Sequence, residues 1–163
     1  MNMNGFTHLN ENGDAVMVDV SEKPVTHRTA SASGKIKLSP AAYDALTKGD
    51  IKKGDAIAAA RIAGIMAVKK TAELIPLCHQ LPVTGCTLEF IKNDCDCSVK
   101  AVCSVKTDGK TGVEMEALTG VSAALLTIYD MCKALDRSMV MSDIRLEYKS
   151  GGRTGEFRRE SNV

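Results

Sequence analysis

Four stretches of this sequence carry side chains that could do chemistry. In Ile75-Pro76-Leu77-Cys78-His79-Gln80-Leu81-Pro82, His79 lies in a loop stiffened by Pro76 and Pro82. An imidazole with an ordinary pKa near ~6.5 gives or takes a proton around neutrality. A loop histidine serves equally well as a plain hydrogen-bonding group, so this residue alone decides nothing. In Lys110-Thr111-Gly112-Val113-Glu114-Met115-Glu116, two carboxylates stand two positions apart. On extended backbone they would share a side and could hold different proton affinities, an acid beside a base. In the first turn of a helix they would simply favour the positive end of its dipole.

The third stretch is Tyr129-Asp130-Met131-Cys132-Lys133. Asp130 and Lys133 are spaced to share one helix face. Exposed pairs of this kind are common and contribute only about 0.3 kcal/mol. A carboxylate late in a helix opposes the dipole, however, which singles Asp130 out. The lysine beside it can bind an anion or, in a dry pocket, release its proton. The fourth set is scattered: Arg28, Lys53, Arg61, Lys69, Lys149 and Arg153. Each alone reads as a solvated charge. Lys53-Gly54 opens a helix, where free amides attract anions, although Walker spacing is absent. Lys149-Ser150-Gly151-Gly152-Arg153 is a basic, glycine-rich turn.

These residues need elements to hold them. A short apolar run at 17–20 reads as a strand, and 25–38 ends in the polar–apolar alternation of a half-buried strand. Ser39-Pro40 is an N-cap followed by proline at the first helical position, and Gly49 stops that helix. Asp55 caps a second helix running to about 73, with Pro76 beyond it. Gly64 within it costs about 1 kcal/mol against alanine, which calls for close packing against another backbone. Residues 83–92 and 98–106 read as a strand hairpin, with a turn at Thr107-Asp108-Gly109. A long helix covers about 117–135, and a final strand 139–148. Helix-strand-strand-helix-strand predicts an α+β fold, a ferredoxin-like plait with an antiparallel sheet and helices on one face.

The 163 residues suit one domain, 1–163, with polar ends at 1–12 and 153–163 expected to be flexible tails. A net charge of +1 gives no general attraction to nucleic acid or membrane. Only Phe90 and Tyr148 fall on expected strands, too few aromatics for a base-stacking RNA-binding plait. The N-terminus lacks the basic start and apolar core of an export signal, which predicts a cytoplasmic protein with reduced thiols. Cys95 and Cys97 form Cys-x-Cys, not a zinc-ribbon spacing, and read as small packed side chains rather than metal ligands.

The runs MVDVS (17–21), KGD (53–55), ARIAGIMAVKKTAELIPLCHQLP (60–82), KTGVEMEALTGVSAALLTIYDMCKAL (110–135) and KSGG (149–152) resemble the cyclic pyranopterin monophosphate synthase family, the C proteins of molybdenum-cofactor biosynthesis. The resemblance spans about 7–157. It implies a ferredoxin-like fold, and a homo-hexamer built as a trimer of dimers with active sites between subunits. It implies a lyase that takes 3′,8-cyclo-7,8-dihydro-GTP, made by a radical SAM partner enzyme, to cyclic pyranopterin monophosphate with release of pyrophosphate. No resident cofactor or metal is implied; whether magnesium escorts the triphosphate is open. Position by position, Asp130 resembles the catalytic acid/base and Lys133 its partner. Leu77, Cys78 and His79 resemble the substrate-binding loop, His79 also being a candidate proton carrier. Met115 and Glu116, with Glu114 beside them, resemble substrate contacts, and Lys53, Arg28 and Lys149 resemble polar pocket residues. Cys95 and Cys97 receive no role.

Overall fold

The computed structural model describes residues 12–153 and 155–160. Of the tail expected at 1–12, residues 1–11 lie outside the described residues, as do 154 and 161–163. The elements in chain order are β1 (Thr26–Lys37), α1 (Pro40–Lys48), α2 (Ala56–Lys69), α3 (Thr71–Leu74), β2 (Val83–Asn93), β3 (Ser98–Gly109), α4 (Glu114–Cys132), β4 (Val140–Ser150) and β5 (Phe157–Arg158). The strands form one sheet in the order β2-β3-β1-β4-β5, every pairing antiparallel. The first four strands have the order and direction of the ferredoxin-like plait that the element sequence predicts.

Alternation along the strands decides which face is covered. Ala30, Ala32 and Ile36 of β1 and Ala101, Cys103 and Val105 of β3 are fully buried beneath α2 and α4. The opposite face is polar. There Ser33 Oγ donates to Glu147 Oε1 at 2.5 Å, and Ser104 Oγ donates to Ser31 Oγ at 3.1 Å. With so few aromatics, the core depends on close approach of small residues. A Cβ on Gly64 would stand 2.8 Å from the Gly120 carbonyl oxygen, so α2 and α4 touch backbone to backbone where the sequence demanded it.

Local signals place the helix ends. Ser39 Oγ accepts from the Ala42 amide, Asp55 Oδ1 accepts from the Ala58 amide, and Gly49 closes α1 in the left-handed region at φ 78°. Several boundaries differ from expectation. The run 17–20 is not a strand but part of an irregular strap, with the Val18 carbonyl held by His79. The helix after Asp55 breaks at Lys70, whose φ of −110° is not helical, and resumes as α3. The turn expected at 107–109 is strand, because Gly109 pairs with Thr26 of β1. Helix α4 begins at Glu114 and ends at Cys132, three residues earlier at each end than predicted. Within the segment expected as a tail, Phe157–Arg158 pair with β4.

Candidate functional site

The loop between α3 and β2, the first turn of α4 and the strap at 12–23 meet around one cleft. It has two lobes, of about 440 and 420 Å³, which share Lys23, Thr111, Gly112 and Glu114. Leu77, Cys78, His79, Met115 and Glu116 line the first lobe; Arg28, Lys149 and Arg153 line the second. Two segments more than thirty residues apart in sequence, around 78 and 115, therefore reach one cavity.

Glu114 and Glu116 lie in the first helical turn, not on extended backbone. Two residues apart on a helix, they point different ways, and their environments diverge. Glu116 is 4% exposed, and burial pushes its carboxyl up to about 7, with a smaller push from Glu114. It can hold a proton near neutrality and release it. Glu114 is more open, with Lys149 Nζ 3.9 Å away. Its carboxylate folds back over Gly112 so closely that any Cβ there would collide with it. Burial and the neighbouring Glu116 also push the Cys78 thiol up, making it a neutral, poorly nucleophilic contact.

His79 Nε2 lies 2.8 Å from the Val18 carbonyl oxygen. A carbonyl only accepts, so Nε2 carries the proton, and in the neutral ring Nδ1 is the free acceptor. The same bond fastens the strap. Lys110 Nζ fastens it again, donating to the Ser21 carbonyl at 2.7 Å. In the second lobe, Arg28 donates from Nε to Gly109 O at 2.9 Å and from Nη2 to Lys110 O at 3.0 Å. Gly151 and Gly152, both at positive φ, press against Arg28 and its backbone, where a Cβ would have no room. The basic turn after β4 thus wraps the guanidinium.

Asp130, Lys133 and Lys53 form a second cluster. Lys133 Nζ is 2.7 Å from Asp130 Oδ1, and Lys53 Nζ is 2.9 Å from Oδ2 while also donating to the Asp130 carbonyl at 3.0 Å. The two ammonium groups, Lys133 first and then Lys53, hold the carboxyl down at about 2. The helix-face argument for Asp130 and Lys133 is met. Lys53, expected as an anion site at a helix start, is instead engaged by Asp130. None of the three lines the two-lobed cleft. Glu114 and Asp130 are sixteen residues apart on α4, about 24 Å along its axis. A single chain therefore does not bring the two clusters together.

Arg61 and Lys69 stand apart from both. Arg61 stacks over Phe90, 5.3 Å from the ring centroid, and donates to the Leu88 carbonyl; Lys69 lies near Cys86. Sequence reasoning missed Lys23, Thr26, Lys110 and Thr111 as cleft residues. Lys110 and Thr111 open a motif already singled out for its carboxylates, but no pattern marked Lys23 or Thr26. All six cysteines are free, and among the described residues no group of three or more His, Cys, Asp or Glu could hold a metal ion. No helix among them is long and apolar enough to cross a membrane.

The model of the MoaC family matches residues 17–152. The chain is 52% identical over 158 residues to the cyclic pyranopterin monophosphate synthase of Dinoroseobacter shibae, covering 97% of this chain and 100% of that one. It is 53% identical over 154 residues to the protein of the same name from Clostridium acetobutylicum, covering 94% and 96%. With that from Heliobacterium modesticaldum it shares 53% over 158 residues, covering 97% and 99%.

Proposed function

The chain belongs to the MoaC family, and from that membership we infer that it is an enzyme of molybdenum-cofactor biosynthesis, a cyclic pyranopterin monophosphate synthase. The reaction is the conversion of 3′,8-cyclo-7,8-dihydro-GTP to cyclic pyranopterin monophosphate with loss of pyrophosphate. Opening purine carbon–nitrogen bonds and closing a pyranopterin needs groups that donate and accept protons. Expelling pyrophosphate needs cations where negative charge collects.

The observation that carries the reading is the pairing of a proton-holding carboxyl with a cationic lobe in one cleft. Glu116, kept near about 7 by burial, and the Nδ1 of His79 supply proton traffic. Leu77, Cys78 and Met115 supply walls for a flat base, and Arg28 and Lys149 supply positive charge to the adjoining lobe. Asp130 and Lys133 act as the second acid–base set. With its carboxyl at about 2, Asp130 is anionic at all working pH values and holds the Lys133 ammonium in place. The proton is then delivered by Lys133, with Asp130 as counter-charge.

The separation of about 24 Å along α4 sets a condition on that reading. One substrate reaches both clusters only where the Asp130 end of one copy abuts the Glu116 end of another. A two-fold axis crossing α4 produces this arrangement, because the same patch meets itself in reverse. Exposed apolar residues on the outer helix faces, Ile62 and Met66 of α2 with Met115 and Leu126 of α4, support such a contact. The proposal extends to a hexamer of three such dimers in the cytoplasm, fed by a radical SAM GTP cyclase and using no resident cofactor.

Mixed subunits test it. Asp130→Asn and Glu116→Ala chains, each inactive alone, are refolded together. Shared sites regenerate about a quarter of full activity, because one interface arrangement unites two intact halves. Activity absent from the mixture, with the hybrid oligomers shown by mass spectrometry, would mean each chain works alone and the arrangement is wrong.

A further inference from the structure

Two carboxylates are buried among the described residues. Glu116 belongs to the cleft. Asp136, 8% exposed, lies just beyond α4 and lines neither lobe. A negative charge there opposes the dipole of α4, and burial adds to the cost, so its partners must offset both.

Three donors do so. Asp136 Oδ2 accepts from the Ser39 amide at 2.7 Å, and Oδ1 accepts from the Ser138 amide at 2.8 Å and the Ser138 hydroxyl at 2.6 Å. The Ser138 hydroxyl first, then the Ser39 and Ser138 amides, hold the carboxyl below the ordinary aspartate value, so it is an anion at neutrality. Bonds to an ionised acceptor are short and strong.

These bonds join the two segments that supply lysines to Asp130. On one side is the turn that closes α4. The Leu135 and Asp136 amides both donate to the Cys132 carbonyl, at 2.8 and 3.1 Å, and the Lys133 amide donates to Tyr129 O at 2.9 Å. The Tyr129 hydroxyl donates to the Arg137 carbonyl at 3.0 Å, fastening the same turn again. On the other side, Ser39 caps α1, whose nine residues span about 13.5 Å. A short bonded loop continues to Lys53: the Asp50 amide donates to Ala45 O and the Gly54 amide to Ile51 O, both at 2.9 Å, with Ile51 buried. Helix α1 is thus tied to the end of α4 twice, by Ser39–Asp136 at its start and by Lys53–Asp130 beyond its end. Ala42, Tyr43 and Leu46 hold α1 on the core. Apolar contact is non-directional, so placement along the helix axis depends on directional bonds such as these two.

We propose that Asp136 is a positioning residue for the Asp130 cluster: by tying the turn after α4 to the head of α1, it fixes where Lys133 and Lys53 stand on either side of Asp130. What the cluster does chemically rests on the function proposed above; how it is held does not.

Asp136→Asn isolates the tie. The amide keeps one acceptor for Ser138 but turns an NH2 toward the Ser39 N–H, donor against donor. Two readouts are taken on the full chain. Competitive acetylation with acetic anhydride, read by peptide mass spectrometry against the exposed Lys92, reports the two lysines without turnover. Labelling of Lys53 and Lys133 should rise about threefold, the scale on which half-exposed ion pairs bind. In turnover of the cyclic nucleotide, kcat should fall about tenfold or more with KM within about twofold, because the cluster shifts and the cleft does not. Unchanged labelling in the folded variant overturns the proposal, as does a fall in kcat matched by an equal rise in KM. The same rise in labelling in Gly64→Ala also overturns it, since any loss of stability would then free the lysines. If Asp136→Asn does not fold, Ser138→Ala decides: it removes one of the three donors and should raise labelling in the same direction, and no rise refutes the tie. An unaltered chain that fails to turn over the cyclic nucleotide refutes the function alone, and the labelling still reads the positioning.

Discussion

Glu116 offers a stability measurement that needs no substrate. Its carboxyl has an ordinary value of 4.5 and is raised by burial to about 7 in the folded chain. Below about pH 4.5 the group is protonated in both states, and it adds no pH dependence. Between 4.5 and about 7 the unfolded chain has released the proton while the folded chain still holds it. Stability therefore falls as pH rises through this window and levels off above it. The interval is about 2.5 pH units, and at about 1.4 kcal/mol per unit the penalty above pH 7 is roughly 3 kcal/mol. With only 4% of the residue exposed, solvent screening removes little of this. Glu116→Gln replaces the acid with a neutral side chain of the same shape. The variant should match the unaltered protein near pH 4.5 and exceed it by about 3 kcal/mol near pH 8. Urea unfolding followed by circular dichroism, at one fixed protein concentration because assembly affects stability, gives the difference at each pH. A difference that is flat between those two pH values would show that Glu116 is ionised in the fold. It would then have no proton to offer at neutrality.

Two more outcomes follow from packing and charge. Asp130→Asn should lower kcat by about a hundredfold or more while leaving Tm nearly unchanged, since the ion pairs it loses are half exposed. Because the Asp130 carboxyl already lies at about 2, the variant's pH profile should keep its shape between about pH 5 and 9; a lost limb would contradict the role given to it. Gly64→Ala should destabilise by about 1–3 kcal/mol in urea, despite alanine's better helix propensity, because its methyl would meet the Gly120 carbonyl rather than a side chain that can yield. A neutral or stabilising result would mean that α2 and α4 can separate freely.

The sequence was most informative where one local signal sufficed. Ser39-Pro40, Asp55 and Gly49 mark helix ends because capping is settled within four residues. Gly64 announced a close contact because nothing else justifies glycine inside a helix. It was least informative where the partner is remote. The run at 17–20 looked like a strand, but the Val18 carbonyl is taken by the His79 ring and the Val20 carbonyl by the Lys23 amide. Thr107-Asp108-Gly109 has turn composition and yet is strand, because β1 is long enough to pair with it. Asp130 stands out in the sequence by its conflict with the helix dipole, and the structure pairs it with Lys133 and Lys53; the segments around 79 and 115 stand out by residue type and line the cleft. Lys23 and Thr26 do not stand out, since a lone lysine and a lone threonine acquire meaning only from the cavity they enter. The gap between the two clusters was likewise invisible, because residue types carry no axial distance until the helix joining them has been counted.

Helix α4 works as a gauge block. Glu114 at one end and Asp130 at the other ride on a single rod, so its length sets how far apart the two clusters stand. One inserted residue would swing the far end by about 100° and lengthen the rod by about 1.5 Å, turning Asp130 away from Lys53. Even a whole extra turn would displace it by roughly 5.4 Å, and in a two-fold assembly each displacement would be felt twice. Surface loops of this protein can grow or shrink at small cost; the nineteen residues of this rod cannot.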